Sequence, residues 1–101
     1  MSALGEYQTI LKVIADETRF EIIALLLEKA YCVKAIARQV NLSEAAISQH
    51  LQILRRAGLV KGEKRGYWTY YSVERQYLLQ IVDEFRLKIV AIQGESFVEC
   101  E

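Results

Sequence analysis

The sequence predicts a mainly α-helical domain that carries a small β-hairpin ahead of its last helix. Three observations predict it. Apolar residues recur at helical spacing in successive stretches on both sides of the centre. Just after Gly58 the period changes, and "LVKGEKRGYWTYYSV" holds two short β-type runs around a Gly- and Lys-rich tip. The chain has no proline and no linker or low-complexity tract to divide it. With 101 residues, 52% hydrophobic and 26% charged, one globular domain over 1–101 is expected rather than a disordered chain. A core of this size is modest, so a partner subunit would help to stabilise it.

The elements follow in order. Residues 3–15 form the first predicted helix, with Tyr7, Ile10, Leu11 and Ile14 on one stripe. Asp16 is placed to cap a second helix over 17–29, acidic at its start and ending in Lys29. A short third helix fits 33–40. Asn41 and Leu42 make a tight connection, and Ser43 caps a fourth helix over 43–57. Gly58 ends that helix at the position where a left-handed backbone carries little penalty. The wing spans 59–73, with Gly62 and Gly66 expected to permit its reversal. A final helix over 74–93 carries the stripe Leu78, Ile81, Val82, Phe85, Ile89 and Ile92, with a second apolar set in Tyr77, Leu79, Val90 and Ala91. That is more apolar surface than one contact face requires. The first and last helices thus carry surplus apolar surface, through Tyr7, Ile10, Leu11, Ile14, Leu78, Ile81, Val82, Phe85 and Ile89, and these residues are the expected dimer contacts under the resemblance described below.

A short helix, a tight turn, a second helix and a basic-tipped hairpin make a winged helix-turn-helix, with 33–57 as the helix-turn-helix. On the fourth helix Ile47, Leu51 and Leu54 face inward. The other side offers Ser43, Glu44, Ala45, Ser48, Gln49, Gln52 and Arg55, a short-chained, hydrogen-bonding surface that fits the major groove of double-stranded DNA. Glu44 can accept from a cytosine amino group, Gln49 can pair with adenine through two bonds, and the Ala45 methyl can pack on thymine. Arg55, Arg56, Lys64 and Arg65 suit phosphates, and Tyr67 near the wing tip suits the backbone. The other wing aromatics, Trp68, Tyr70 and Tyr71, read more plainly as packing residues than as a base-stacking platform.

Charge supports a polyanion partner. Between Lys34 and Arg75 eight basic residues stand against three acidic ones, so the neutral chain has a basic middle and acidic ends. The longest apolar run, "IIALLL", is too short to span a bilayer, and no secretory leader precedes it. No membrane contact and a cytoplasmic location are expected. Cys32 and Cys100 do not make a disulfide framework, and His50 is the single histidine.

Three segments, "LKVIADETRFEIIALLLE", "LSEAAISQHLQILRRAGLV" and "KRGYWTYYSV", together resemble the arsenic-repressor (ArsR/SmtB) family of transcription regulators. The resemblance covers residues 10–73 plus a last helix of suitable length. It implies the order α1-α2-α3-α4-β1-β2-α5, a homodimer through α1 and α5, and repression at an inverted repeat. It also places base reading on Glu44, Ala45, Ser48 and Gln49, and sets His50, in "SQHL", among the DNA contacts.

The effector sites of that family do not carry over. Its thiol pair is matched in "AYCVKAIA" by Cys32, but Lys34 stands where the second cysteine belongs, and two thiolates are what closes on a soft ion. Its site on the last helix falls on Arg75, Tyr77, Lys88 and Ala91, none of them a zinc ligand. No metal and no cofactor are expected, and the inducer is left open. Cys32 and Cys100 remain candidates for a thiol switch, against the plainer reading of a small buried cysteine and an exposed terminal one. Two other functions fit parts of the chain. A winged helix used for protein contact predicts no salt-dependent duplex binding. A thiol enzyme using Cys32 and His50 lacks a third orienting group, paired carboxylates or a Gly-rich loop, so no enzyme is expected.

Overall fold

The structure is a computed structural model that describes residues 3–91 and 97–100, with side chains described from Gln8 onward. Its elements are α1 (Ala3–Ile14), α2 (Glu17–Glu28), β1 (Tyr31–Cys32), α3 (Val33–Val40), α4 (Glu44–Arg56), β2 (Val60–Arg65), β3 (Trp68–Val73) and α5 (Arg75–Ala91). The helical order is the expected one. The sheet is not a bare hairpin but three antiparallel strands in the order β1-β3-β2. The added strand, β1, pairs Tyr31 with Tyr71 and Cys32 with Tyr70. Two residues carry no periodic signal, which is why the sequence did not announce it.

Local chemistry sets the helix ends. Asp16 is the N-cap of α2, its carboxylate accepting the Arg19 backbone N–H at 3.0 Å. Ser43 caps α4 in the same way, its Oγ accepting the Ala46 N–H at 3.1 Å. Between α3 and α4 the turn runs through Asn41, which holds a left-handed backbone at φ 59° and lets the Leu42 N–H reach the Ala37 carbonyl at 3.1 Å. At the end of α4, Gly58 takes φ 78°, the Gly58 N–H bonds the Arg55 carbonyl and the Leu59 N–H bonds the Leu54 carbonyl. This is a Schellman ending, and its usual apolar contact is supplied by Leu54 and Leu59, both wholly buried. The chain therefore leaves the fourth helix in one direction, straight into the wing.

The wing turns through Gly66 and Tyr67, with Arg65 and Trp68 as the last paired residues. Only Gly66, at φ 67°, has a positive φ in this turn, the signature of a II′ hairpin. Gly62 does not serve the reversal. It lies inside β2 opposite Tyr71, and a Cβ there would come within 3.0 Å of the Tyr71 ring and 3.1 Å of the Thr69 methyl.

The core gathers Ile22, Ile23 and Leu26 of α2, Ile36 of α3, and Ile47, Leu51 and Leu54 of α4, closed by Val60 and Val73 of the sheet. Ile10 and Ile81 belong to this core too, at 2% and 7% exposure. That corrects their assignment to the dimer face: each is consumed within the single chain. Ile14 and Leu78 also pack partly against it. Among the wing aromatics, Tyr71 packs on the core, whereas Trp68 is half exposed and Tyr67 almost wholly so. The Arg75 guanidinium donates to the Leu27 carbonyl and so ties the start of α5 to the last turn of α2. Among the described residues no helix is long and apolar enough to cross a membrane.

Candidate nucleic-acid interface

The outer face of α4 is built by the burial of its inner one. With 100° between successive residues, Ile47, Leu51 and Leu54 fix one direction inward. Ala45, Gln49, Gln52 and Arg56 then fall on a line directly opposite, and all four are exposed. Glu44, Ser48 and Arg55 lie along one flank of that line and are also exposed. The helix thus shows small residues in its first two turns and cations in its last. Glu44 complements the positive end of the helix dipole, and Arg55 and Arg56 the negative end. Arg56, expected at phosphates, sits on the central line in register with Ala45, Gln49 and Gln52.

The Ser43 hydroxyl is engaged in capping α4. Its value to any DNA contact is that it holds the first turn in place.

His50 sits elsewhere. Its position on α4 points away from the exposed face, and its ring meets α2. Nδ1 lies 3.4 Å from an Arg19 guanidinium nitrogen and 3.9 Å from the Asp16 carboxylate. This corrects its placement among the DNA-contacting residues: a side chain on the inner flank of α4 is directed at the neighbouring helix. Sequence spacing carried the signal, since His50 stands three residues after buried Ile47 and four before buried Leu54. The charge of Asp16 is stabilised there. The Arg19 backbone N–H, then the Arg19 and His50 charges, hold its carboxyl below the usual carboxylate value.

The wing adds a second surface beside α4. Lys64, Arg65 and Tyr67 are all exposed, Tyr67 at 97%. Arg65 reaches Glu63 at 3.6 Å, a surface pair that leaves most of its guanidinium in solvent. Lys61 similarly reaches Glu74 at 3.7 Å.

The two cysteines lie far apart in role. Cys32 is half-buried, pairs through its backbone in β1 and stands at the N-cap position of α3 without a side-chain cap bond, whereas Cys100 is exposed near the chain end. Among the described residues no group of three or more His, Cys, Asp or Glu could hold a metal ion.

A second apolar surface lies on the terminal helices. Leu11 of α1 and Leu79, Val82, Phe85, Ile89 and Val90 of α5 are each at least half exposed. Tyr7 and Ile92, expected on the same stripes, lie outside the described side chains.

Comparison with known proteins places this geometry. A family model described as "Bacterial regulatory protein, arsR family" matches residues 16–61, the segment from the α2 cap to the start of the wing. An HTH-type transcriptional regulator of Methanocaldococcus jannaschii is 37% identical over 79 residues, covering 74% of this chain and 89% of that one. The arsenical resistance operon repressor of Escherichia coli is 36% identical over 77 residues, covering 72% of this chain and 66% of the repressor. Among solved structures, an ArsR-like transcriptional regulator from Rhodococcus superposes with a TM-score of 0.78 at 27% identity, covering 87% of this chain and 82% of the other.

Proposed function

The chain belongs to the ArsR family of transcriptional regulators, which are not enzymes, and from that premise we propose that it is a homodimeric repressor reading an inverted-repeat operator through α4 and the wing. The observation that carries this reading is the exposed face of α4. Its narrow polar line of Ala45, Gln49 and Gln52, flanked by Glu44 and Ser48, has the width and the donor–acceptor groups that a major groove accepts. In this reading Gln49 pairs with a base edge, Glu44 and Ser48 read its neighbours, and the Ala45 methyl rests on a thymine. Arg55, Arg56, Lys64 and Arg65 neutralise phosphates, and Tyr67 at the wing tip rests against the sugar–phosphate backbone. The exposed stripe of α5, with Leu11 of α1, is the surface that a second copy covers.

The test is fluorescence anisotropy with the duplex upstream of the protein's own gene, at two salt concentrations, under reducing conditions. The expected result is tight binding that weakens as salt rises and exceeds binding to a scrambled duplex. Absence of salt-dependent duplex binding would overturn the reading in favour of a winged helix used for protein contact. Arsenite, zinc, peroxide and persulfide are added in parallel arms. Release by a thiol-directed agent would bring Cys32 and Cys100 into the mechanism.

A further inference from the structure

Arg19 is the point where three helices meet. It stands in the first turn of α2, and Asp16 of the same turn accepts its backbone N–H. Its Nε donates to the Val13 carbonyl, in the last turn of α1, at 2.7 Å. One of its terminal nitrogens lies 3.4 Å from Nδ1 of His50, in the middle of α4. The His50 side chain is 24% exposed, so this contact is shielded in part from water.

The chemistry of the pair constrains the ring. A guanidinium only donates hydrogen bonds. Contact with Arg19 therefore requires an unprotonated Nδ1, that is, a neutral imidazole with its proton on Nε2. A protonated Nδ1 can only donate, and the acceptor within reach is the Asp16 carboxylate, 3.9 Å away. Asp16 and Arg19 of α2 are the charged groups that meet the ring among the described residues, and α1 contributes only the Val13 carbonyl, through Arg19. One nitrogen thus faces two partners of opposite kind, and the proton selects between them.

We propose that Arg19 and His50 are a positioning pair that seats the reading helix α4 on the junction of α1 and α2, and that protonation of His50 exchanges Arg19 for Asp16, shifts that seat and weakens DNA binding. The proposal rests on the DNA-reading function set out above. Its physical reason lies in the rest of the α4 contact. Ile47, Leu51 and Leu54 are aliphatic, and apolar packing is non-directional. A hydrogen bond has a preferred line and length. It fixes the rotation of α4 about its own axis, the coordinate that decides whether Gln49 meets a base edge.

The tests separate this device from the function on which it depends. His50 is the sole histidine, so its ring nitrogens give the only imidazole signals in a nitrogen-15 spectrum. At pH 8.5 the free protein is expected to show the Nε2–H tautomer. An Nδ1–H tautomer would overturn the proposal whether or not the protein binds DNA. Anisotropy with the upstream duplex is then followed from pH 8.5 to pH 5.5. The wild type is expected to lose affinity roughly fivefold more than His50→Asn, whose side-chain oxygen replaces Nδ1 as acceptor and does not titrate, a factor set by one hydrogen bond. At pH 8.5 the two proteins should bind alike. If His50→Asn does not fold, Arg19→Gln serves, since an amide can donate to the neutral ring or accept from the protonated one, and it should flatten the profile too. Parallel profiles for wild type and variants would overturn the proposal. No duplex binding at any pH, with the Nε2–H tautomer present, would overturn the DNA-reading function and this pair's role in it.

Discussion

Gln49 is where a base contact is best argued, because its amide carries a donor and an acceptor at the end of a short reach and its position on α4 is fully turned from the core. Gln49→Ala is expected to relax preference at one base pair of each half-site by ~1–3 kcal/mol, measured by competition among single-base operator variants. Equal loss on every sequence would assign Gln49 to phosphate instead. Asp16 gives a second prediction at this scale. Its carboxyl is held below its ordinary value by the Arg19 N–H and by the Arg19 and His50 charges. The sign follows directly. The folded state binds the Asp16 proton less readily than the unfolded chain, so the stabilisation is whole above the unfolded-state value and disappears as pH falls through the lowered one. Asp16→Asn, which keeps a capping side chain but carries no charge, is expected to lower thermal stability at neutral pH and to make it less steep on the acid side, the two proteins converging as pH falls.

At the scale of elements, the wing and α4 differ in how they carry charge. The exposed face of α4 is mostly neutral and holds its cations, Arg55 and Arg56, in the last turn. The wing places Lys64 and Arg65 on its outer end, held there by the two-residue turn at Gly66. Phosphate contact releases counterions, and base contact does so much less. Lys64→Ala and Arg65→Ala should therefore weaken binding to all duplexes alike, each lowering the slope of log affinity against log salt by about one. A change in sequence preference without a change in slope would place these side chains at bases. The Schellman ending of α4 matters here because it fixes the direction in which β2 leaves the helix. A wing whose origin is set by Gly58 and Leu59 does not need to be positioned by DNA.

For the whole molecule, shape and surface bear on the proposed second subunit. The radius of gyration is 17.1 Å and the long axis 59 Å, against a radius of about 13 Å for a compact chain of this length. The apolar residues Leu79, Val82, Phe85, Ile89 and Val90 span about 140° of the circumference of α5 and face solvent in the single chain. Val82→Asp puts a charge in the middle of that stripe without touching the core. It is expected to shift the protein from dimer to monomer in sedimentation and to reduce binding to a two-half-site operator far more than binding to a single half-site. A dimer that survives the substitution would move the interface elsewhere. Two copies related by a twofold axis would present their α4 helices to half-sites about one helical turn apart, or a multiple of that spacing.

Much of this was legible in the chain. Ser43, Asp16 and Gly58 announce helix ends because capping is a contact between near neighbours, and the inward line of α4 follows from the periodicity of Ile47, Leu51 and Leu54 alone. The candidate DNA face was legible for the same reason, as the complement of that line. What only the tertiary structure decided are matters of long-range pairing. Strand β1 exists because Tyr31 and Cys32 find Tyr71 and Tyr70 some 40 residues away, and two residues have no period to read. Ile10 and Ile81 go to the core while Leu11 and Val82 go to solvent, a choice made by how far α1 and α5 rotate against α2 and the sheet. His50 meets Arg19 rather than joining the exposed face because α2 offers a partner 31 positions back along the chain. Local sequence sets which residues can share a face; the packing of distant elements sets which of those faces is left for a ligand, because burial is decided by the neighbour that arrives.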